Sequence, residues 1–244
     1  MGYIRTAVWG FIALMTIIAG MFLMPFFWLI RIFGGNPQPQ ARRYASWWGR
    51  AMLWATGSKV TISGQQQLPP GAVVVMGNHQ SIFDIMLLLG HFEKELAFIA
   101  KIETESYPII SNWMKYIDCL FIDRSDLRQS SRILGQAVSQ LKDGVASLVI
   151  FPEGTRSKTG EMLEFKKGSM KLPQRAQVPI IPVAIDGTLG AYEGNGRKMA
   201  PSDVRMHICP PIMPEEFVQQ DTGAISLMVE DSVRRGLEFI RNNG

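Results

Sequence analysis

Ala72-Val73-Val74-Val75-Met76-Gly77-Asn78-His79-Gln80-Ser81-Ile82-Phe83-Asp84-Ile85-Met86-Leu87-Leu88-Leu89 is the stretch whose reading decides the fold. Residues 72–76 are an unbroken apolar run with strand character, as a strand buried on both faces requires. Residues 82–89 are short, apolar and helical in pattern. A strand, a polar turn and a helix in that order make the unit from which parallel sheets are built.

The same alternation continues in both directions. Strand-like runs recur at 59–63, 96–100, 120–123, 147–150, 180–185 and 204–208. Helical patterns fall at 126–143, 168–176 and 224–241. In the first of these Leu127, Leu134, Val138 and Leu141 are spaced mainly by threes, fours and sevens. The expected fold is therefore α/β, a mixed and largely parallel sheet flanked by helices. Residues 187–202, with four glycines and Arg197-Lys198, read as a surface loop.

Sites in such sheets gather where strands end. The run at 147–150 is followed by Phe151-Pro152-Glu153-Gly154-Thr155-Arg156-Ser157. Gly154 permits close backbone approach, Thr155 and Ser157 add hydroxyls, and Arg156 adds a planar fork matched to two phosphate oxygens. Arg124 ends the run at 120–123 and Lys101 the run at 96–100, so three cations at three strand ends outline one anionic pocket.

His79 and Asp84 lie five residues apart, a separation that puts them on different faces of a regular helix. They cooperate only if His79 sits in the turn and Asp84 in the first helical turn. Asp84 then holds the imidazole Nδ1–H and leaves Nε2 free as a base. Ser81-x-x-Asp84 is equally a helix-capping pair, and the spacing alone does not decide between the two roles. His91, at a helix end, and His207, in the last strand, read as structural or solvated.

The chain has 244 residues, a net charge of +4 and a pI of about 9.1. Its 25 Lys and Arg are scattered among 21 acidic residues, which fits an anionic surface better than nucleic acid. Cys119 and Cys209 are too few and too far apart for a disulfide framework or a metal cluster, and fit a reducing compartment.

Residues 6–30 are uncharged and rich in Ile, Leu, Met, Phe and Trp, long enough for a bilayer core of ~30 Å. Pro25 is expected to kink them. A turn at 34–39 leads to residues 41–56, where Tyr44, Trp47, Trp48 and Trp54 stand among Arg42, Arg43 and Arg50. Aromatics beside arginines suit the headgroup level of a membrane. Residues 1–57 thus read as a two-helix membrane anchor and 58–244 as the α/β domain. The first helix either spans or enters and returns, and a soluble hydrophobic hairpin is the alternative. Arg31, Arg42, Arg43 and Arg50 follow the apolar stretch against Arg5 before it, which puts the domain on the cytoplasmic side.

Four blocks within residues 60–210 resemble the glycerolipid acyltransferase family, and within it the bacterial 1-acyl-glycerol-3-phosphate acyltransferases. Asn78-His79-Gln80-Ser81-Ile82-Phe83-Asp84 is similar to the family's N-H-x4-D block, and Leu120-Phe121-Ile122-Asp123-Arg124 to its arginine-bearing second block. Phe151-Pro152-Glu153-Gly154-Thr155-Arg156-Ser157 is similar to the third, and Val178-Pro179-Ile180-Ile181-Pro182-Val183 to the fourth. The second block usually opens on Gly where this chain has Asp118.

The resemblance implies that His79, oriented by Asp84, deprotonates the 2-hydroxyl of lysophosphatidate as it attacks an acyl thioester. It implies that Arg124, Glu153, Gly154, Thr155 and Arg156 hold the glycerol phosphate, with Glu153 orienting Arg156 or accepting from a glycerol hydroxyl. The donor would be acyl-CoA or an acylated carrier protein, with no cofactor and no metal. The setting would be the inner (cytoplasmic) membrane, with membrane lipid as partner. Two other readings stand beside it. One is transfer to a different lysolipid, such as a lyso-ornithine lipid or a larger-headed lysophospholipid, which Asp118 and the Arg197-Lys198 loop would signal. The other is a membrane-anchored lipid-binding protein without catalysis.

Overall fold

A computed structural model describes residues 2–243. The strands are β1 (Lys59–Ser63), β2 (Val74–Gly77), β3 (Leu96–Lys101), β4 (Leu120–Ile122), β5 (Ser147–Ile150), β6 (Ile180–Asp186) and β7 (Asp203–Ile208). They form one sheet in the order β1-β7-β6-β2-β5-β3-β4. Every neighbouring pair is parallel except β6–β7, so the sheet is mixed and largely parallel, as expected. β2 sits at its centre with Val74 and Met76 fully buried, which explains the unbroken apolar run.

The helices are α1 (Gly2–Ile32), α2 (Gln38–Thr56), α3 (Phe83–His91), α4 (Pro108–Tyr116), α5 (Leu127–Lys142), α6 (Lys171–Ala176), α7 (Thr188–Ala191), α8 (Pro214–Phe217) and α9 (Thr222–Asn242). Asp126 caps α5 and Asp221 caps α9, each accepting two backbone N–H groups of the first turn. The helical pattern expected at 168–176 divides into a 3-10 turn, Lys167–Met170, and α6. Pro173 is tolerated because a helix's first turn has no intrahelical use for its N–H groups.

α1 runs unbroken through Pro25 and touches the rest of the chain along its whole length. Arg5 donates to the Thr56 carbonyl, Trp9 Nε1 to the Met52 carbonyl at 3.0 Å, and Trp48 Nε1 to Thr16 Oγ1 at 3.2 Å. Phe27 packs edge-on against Trp113 and Tyr116 of α4, and the Arg31 guanidinium lies 4.7 Å over the Tyr116 ring. The opposite face, with Phe11, Phe22, Phe26 and Trp28, is open. α2 packs on α3 so closely that a Cβ on Gly49 would lie 2.5 Å from the Met86 carbonyl oxygen.

Two expectations are corrected here. Residues 187–202 are not a surface loop: they hold α7 and a 3-10 turn, and Thr188 and Ala191 are completely buried. Asp118 does not mark the acceptor site. It lies before β4, in the left-handed region at φ 63, which explains why Gly suits that position. Its carboxylate binds Arg42 Nη2 at 2.7 Å and Gln38 Nε2 at 2.7 Å, tying α2 to the start of β4. Arg124 is at the other end of that strand, ~20 Å along an extended chain.

Candidate active site

The two opening blocks meet at adjacent central strands, since β2 pairs with β5. Gly77 ends β2, and a Cβ there would lie 2.6 Å from the Val183 carbonyl oxygen, so only Gly lets β6 approach. Asn78 then extends the pairing with its side chain. Its Nδ2 donates to the Ile185 carbonyl at 2.7 Å and its Oδ1 accepts from Ile185 N at 2.8 Å. Gln80 Nε2 donates to the same carbonyl at 2.5 Å. The turn that carries His79 is thus fastened to β6.

The third block fastens His79 itself. Phe151-Pro152-Glu153-Gly154 is a β-turn closed by Gly154 N donating to the Phe151 carbonyl at 3.0 Å, with proline at its second position and Gly154 at φ 75. Glu153 Oε1 accepts from the His79 backbone N–H at 2.8 Å, and Ser157 N donates to the His79 carbonyl at 2.7 Å. The Phe151 ring stacks on the imidazole, centroids 3.9 Å apart and 11° from parallel. Backbone and ring are both held, so the imidazole has little freedom left.

Asp84 fixes the remaining degree of freedom. Its Oδ2 is 2.7 Å from His79 Nδ1 and also accepts from Gln80 N at 2.7 Å and Ser81 N at 2.9 Å. Its Oδ1 accepts from Thr188 Oγ1 at 2.5 Å. Asp84 is fully buried while the His79 side chain is 14% exposed, and Nε2 has no hydrogen-bond partner among the described residues. The capping and imidazole-holding roles are therefore both real and share one oxygen. Ser81 contributes its Oγ to Phe83 N at 3.1 Å, although Ile82 is the residue at the formal cap position of α3.

Glu153 is 2% exposed, and its Oε2 has no hydrogen-bond partner among the described residues. Burial pushes its carboxyl up to about 7, against the His79 N–H bond, which favours the ionised form. It does not orient Arg156. That guanidinium pairs with Glu193 at 2.7 Å, and Glu193 also accepts from Ile82 N at 3.0 Å and Ser81 Oγ at 2.5 Å.

The other expected residues are distributed along the same rim. Arg124 Nη1 donates to the Gly154 carbonyl at 2.7 Å. Thr155 is exposed beside it. Lys101 ends β3 as expected, but its ammonium is 2.5 Å from Glu103 and faces solvent, outside the His79 cluster. Cys119 is buried, and burial pushes its thiol up to about 12, which disfavours a thiolate nucleophile.

Thr188, Glu193 and Lys166 were not anticipated from sequence. The first two reach the site from more than a hundred residues away, with no local pattern to announce them. Lys166 lies twelve positions after Gly154 and is anchored by its backbone N–H to the Pro152 carbonyl at 3.0 Å.

A family model described as Acyltransferase matches residues 59–186, which include His79, Asp84 and the third block but end before Thr188 and Glu193. A probable 1-acyl-sn-glycerol-3-phosphate acyltransferase of Mycoplasma genitalium is 34% identical over 196 residues, covering 75% of this chain and 71% of its own. A protein of the same description in Mycoplasma pneumoniae is 41% identical over 150 residues, or 59% of this chain, and the match spans only 56% of that relative's length. The crystal structure of the 1-acyl-sn-glycerophosphate acyltransferase PlsC of Thermotoga maritima superposes with a TM-score of 0.82 at 32% identity, over 98% of this chain and 96% of that one. With the model covering more than half of its length and the solved relative nearly all of it, the chain belongs to the acyltransferase family.

Proposed function

We propose that this protein acylates the 2-hydroxyl of 1-acyl-sn-glycerol-3-phosphate from an acyl thioester, giving phosphatidate. The observation that carries the reading is the Asp84–His79 pair, with Nε2 left without a hydrogen-bond partner among the described residues. Nδ1 donates to Asp84 Oδ2, so Nε2 carries a lone pair. It takes the acceptor's hydroxyl proton as the oxygen attacks the thioester carbonyl. The tetrahedral intermediate then collapses, the C–S bond breaks, and the imidazolium returns the proton to the leaving thiolate. The nucleophile is the acceptor's own hydroxyl, so no Ser or Cys is required and no resident cofactor enters the step. A positioned base supplies ~10²–10⁴-fold of the acceleration. Binding of the acceptor's glycerol phosphate falls to Arg124 and to Glu153, Gly154 and Thr155 of the third block. The names of the relatives, which specify this acceptor, favour it over other lysolipids.

The N-terminal helix supports a membrane setting. It is 31 residues long with mean hydropathy 2.2 over its apolar window, of which 17% is buried. Such a helix is ~46 Å long, and both of its ends touch the body of the protein. A helix crossing the bilayer alone would carry one end ~30 Å away from that body. Of the two membrane arrangements, entering and returning fits this contact pattern, with the active site at the headgroup plane. The cytoplasmic face of the inner membrane agrees with the arginines that follow the apolar stretch.

The test is product formation by purified protein from lysophosphatidate, lyso-ornithine lipid and lysophosphatidylcholine, each with acyl-CoA and with acylated carrier protein. Phosphatidate from the first acceptor at a rate well above the others is expected. Preference for another acceptor would overturn the proposal.

A further inference from the structure

Gly154 sits under two side-chain cations. A Cβ built on it would lie 2.8 Å from Arg124 Nη1 and 2.9 Å from Lys166 Nζ. The two nitrogens are therefore within ~6 Å of each other, a gap one phosphate can bridge with a charge-assisted hydrogen bond to each. Neither cation has a carboxylate partner among the described residues. Both are pinned to the same β-turn, Arg124 through the Gly154 carbonyl and Lys166 through its backbone bond to Pro152. Phe165, next to Lys166, is buried and holds that strap in register.

Arg156 stands in a different electrostatic position. Glu193 neutralises it and also takes the first N–H of the α3 entry, so this guanidinium is part of the scaffold around His79. An incoming phosphate dianion would meet the Glu193 carboxylate there, whereas over Gly154 it meets two unpaired cations.

We infer that Lys166 binds the acceptor's phosphate together with Arg124, over the bare backbone of Gly154, and that Arg156 acts as a positioning residue through Glu193. The inference rests on the reading of the acceptor as a lysophosphatidate and names where its phosphate goes. Gly154 suits this place because its φ of 75 is left-handed, and its bare backbone leaves room for both cation tips.

The experiment measures steady-state acylation by Lys166→Met, Lys166→Arg and the neighbouring control Lys167→Met, with lysophosphatidate and with phosphate-free 1-acylglycerol as acceptors. Lys166→Met should raise the lysophosphatidate KM at least tenfold, leave the thioester KM within twofold, and leave turnover of 1-acylglycerol unchanged. Lys166→Arg should recover most of the loss, and Lys167→Met should resemble the parent. Combining Lys166→Met with Arg124→Met should cost less than the product of the single effects, because they share one ligand. Inhibition by glycerol 3-phosphate, measured alongside, should weaken in Lys166→Met by a similar factor. An unchanged lysophosphatidate KM in an active, folded Lys166→Met would overturn the inference alone. A parent protein inactive on lysophosphatidate whose glycerol 3-phosphate binding still depends on Lys166 would overturn the acceptor assignment alone. Absence of both activity and binding would overturn both.

Discussion

Replacing Asp84 by Asn should remove a charge while keeping the shape of the His79 turn. Oδ2 receives two backbone N–H groups, from Gln80 and Ser81, besides His79 Nδ1. Backbone N–H groups can only donate, so the amide oxygen must occupy that position. The amide NH₂ then faces Thr188, whose hydroxyl can turn to accept. The start of α3 and the Nδ1–H tautomer should both survive. What is lost is attraction between the carboxylate and the imidazolium formed during proton transfer. Two unit charges ~4 Å apart at an effective dielectric of 20 interact by ~4 kcal/mol. With about half of the proton transferred at the transition state, ~2 kcal/mol is lost, or roughly 30-fold in kcat; complete transfer gives about 10³-fold. The assay is phosphatidate formation in mixed micelles, with thermal melting of the same samples. Asp84→Ala is the comparison, since it strips buried N–H groups of their acceptor at ~1–3 kcal/mol each and should lower Tm sharply. Near-parental kcat in Asp84→Asn would refute the charge argument. A loss beyond 10⁴-fold would refute the hydrogen-bond accounting, because only tautomer inversion costs that much.

Three further outcomes are expected. Glu153 carries a carboxyl raised to about 7 by burial, so the folded state holds its proton where the unfolded chain has already released it; stability contributed by this group falls as pH rises from about 4.5 to about 7 and is level above. Glu153→Gln should flatten that slope in Tm measured from pH 5 to 8, and an unchanged slope would contradict the burial argument. Asp118→Gly should relieve a left-handed backbone but leave half-buried Arg42 short of a partner, giving a lower Tm with acceptor preference unaltered; a changed acceptor preference would restore Asp118 to the site. Deleting residues 1–32 removes α1 and its open apolar face, each large apolar side chain being worth ~1.5–3 kcal/mol of burial in lipid; the truncated protein should no longer sediment with vesicles under alkaline carbonate, and retained sedimentation would refute the role of α1.

Much of this architecture was legible because buried parallel strands leave plain apolar runs. All seven strands were found to within two residues. The antiparallel entry of β7 was not legible, because strand direction is set by the 187–202 connection and not by anything in Val204 or Met206. α4 was missed although Pro108 opens it and Ile109, Trp113 and Tyr116 recur at helical spacing. Its apolar side chains serve Phe27 of α1, a partner visible only after folding. His79 and Asp84 were found because their contact is local. Thr188 and Glu193 were hidden because a side chain arriving from a distant segment leaves no spacing to read. The conformational cost of Asp118 was equally invisible: sequence showed an added charge, while the backbone shows a left-handed turn.

The central claim is that the imidazole held by Asp84 is the base, and removing it tests this most directly. His79→Ala deletes the ring and keeps both backbone bonds, to Glu153 and Ser157, so the turn should stay folded. Single-turnover formation of phosphatidate, with lysophosphatidate and thioester bound at saturation, should slow by ~10²-fold or more in His79→Ala. Parental single-turnover rates in a variant with unchanged circular dichroism and Tm would contradict the account.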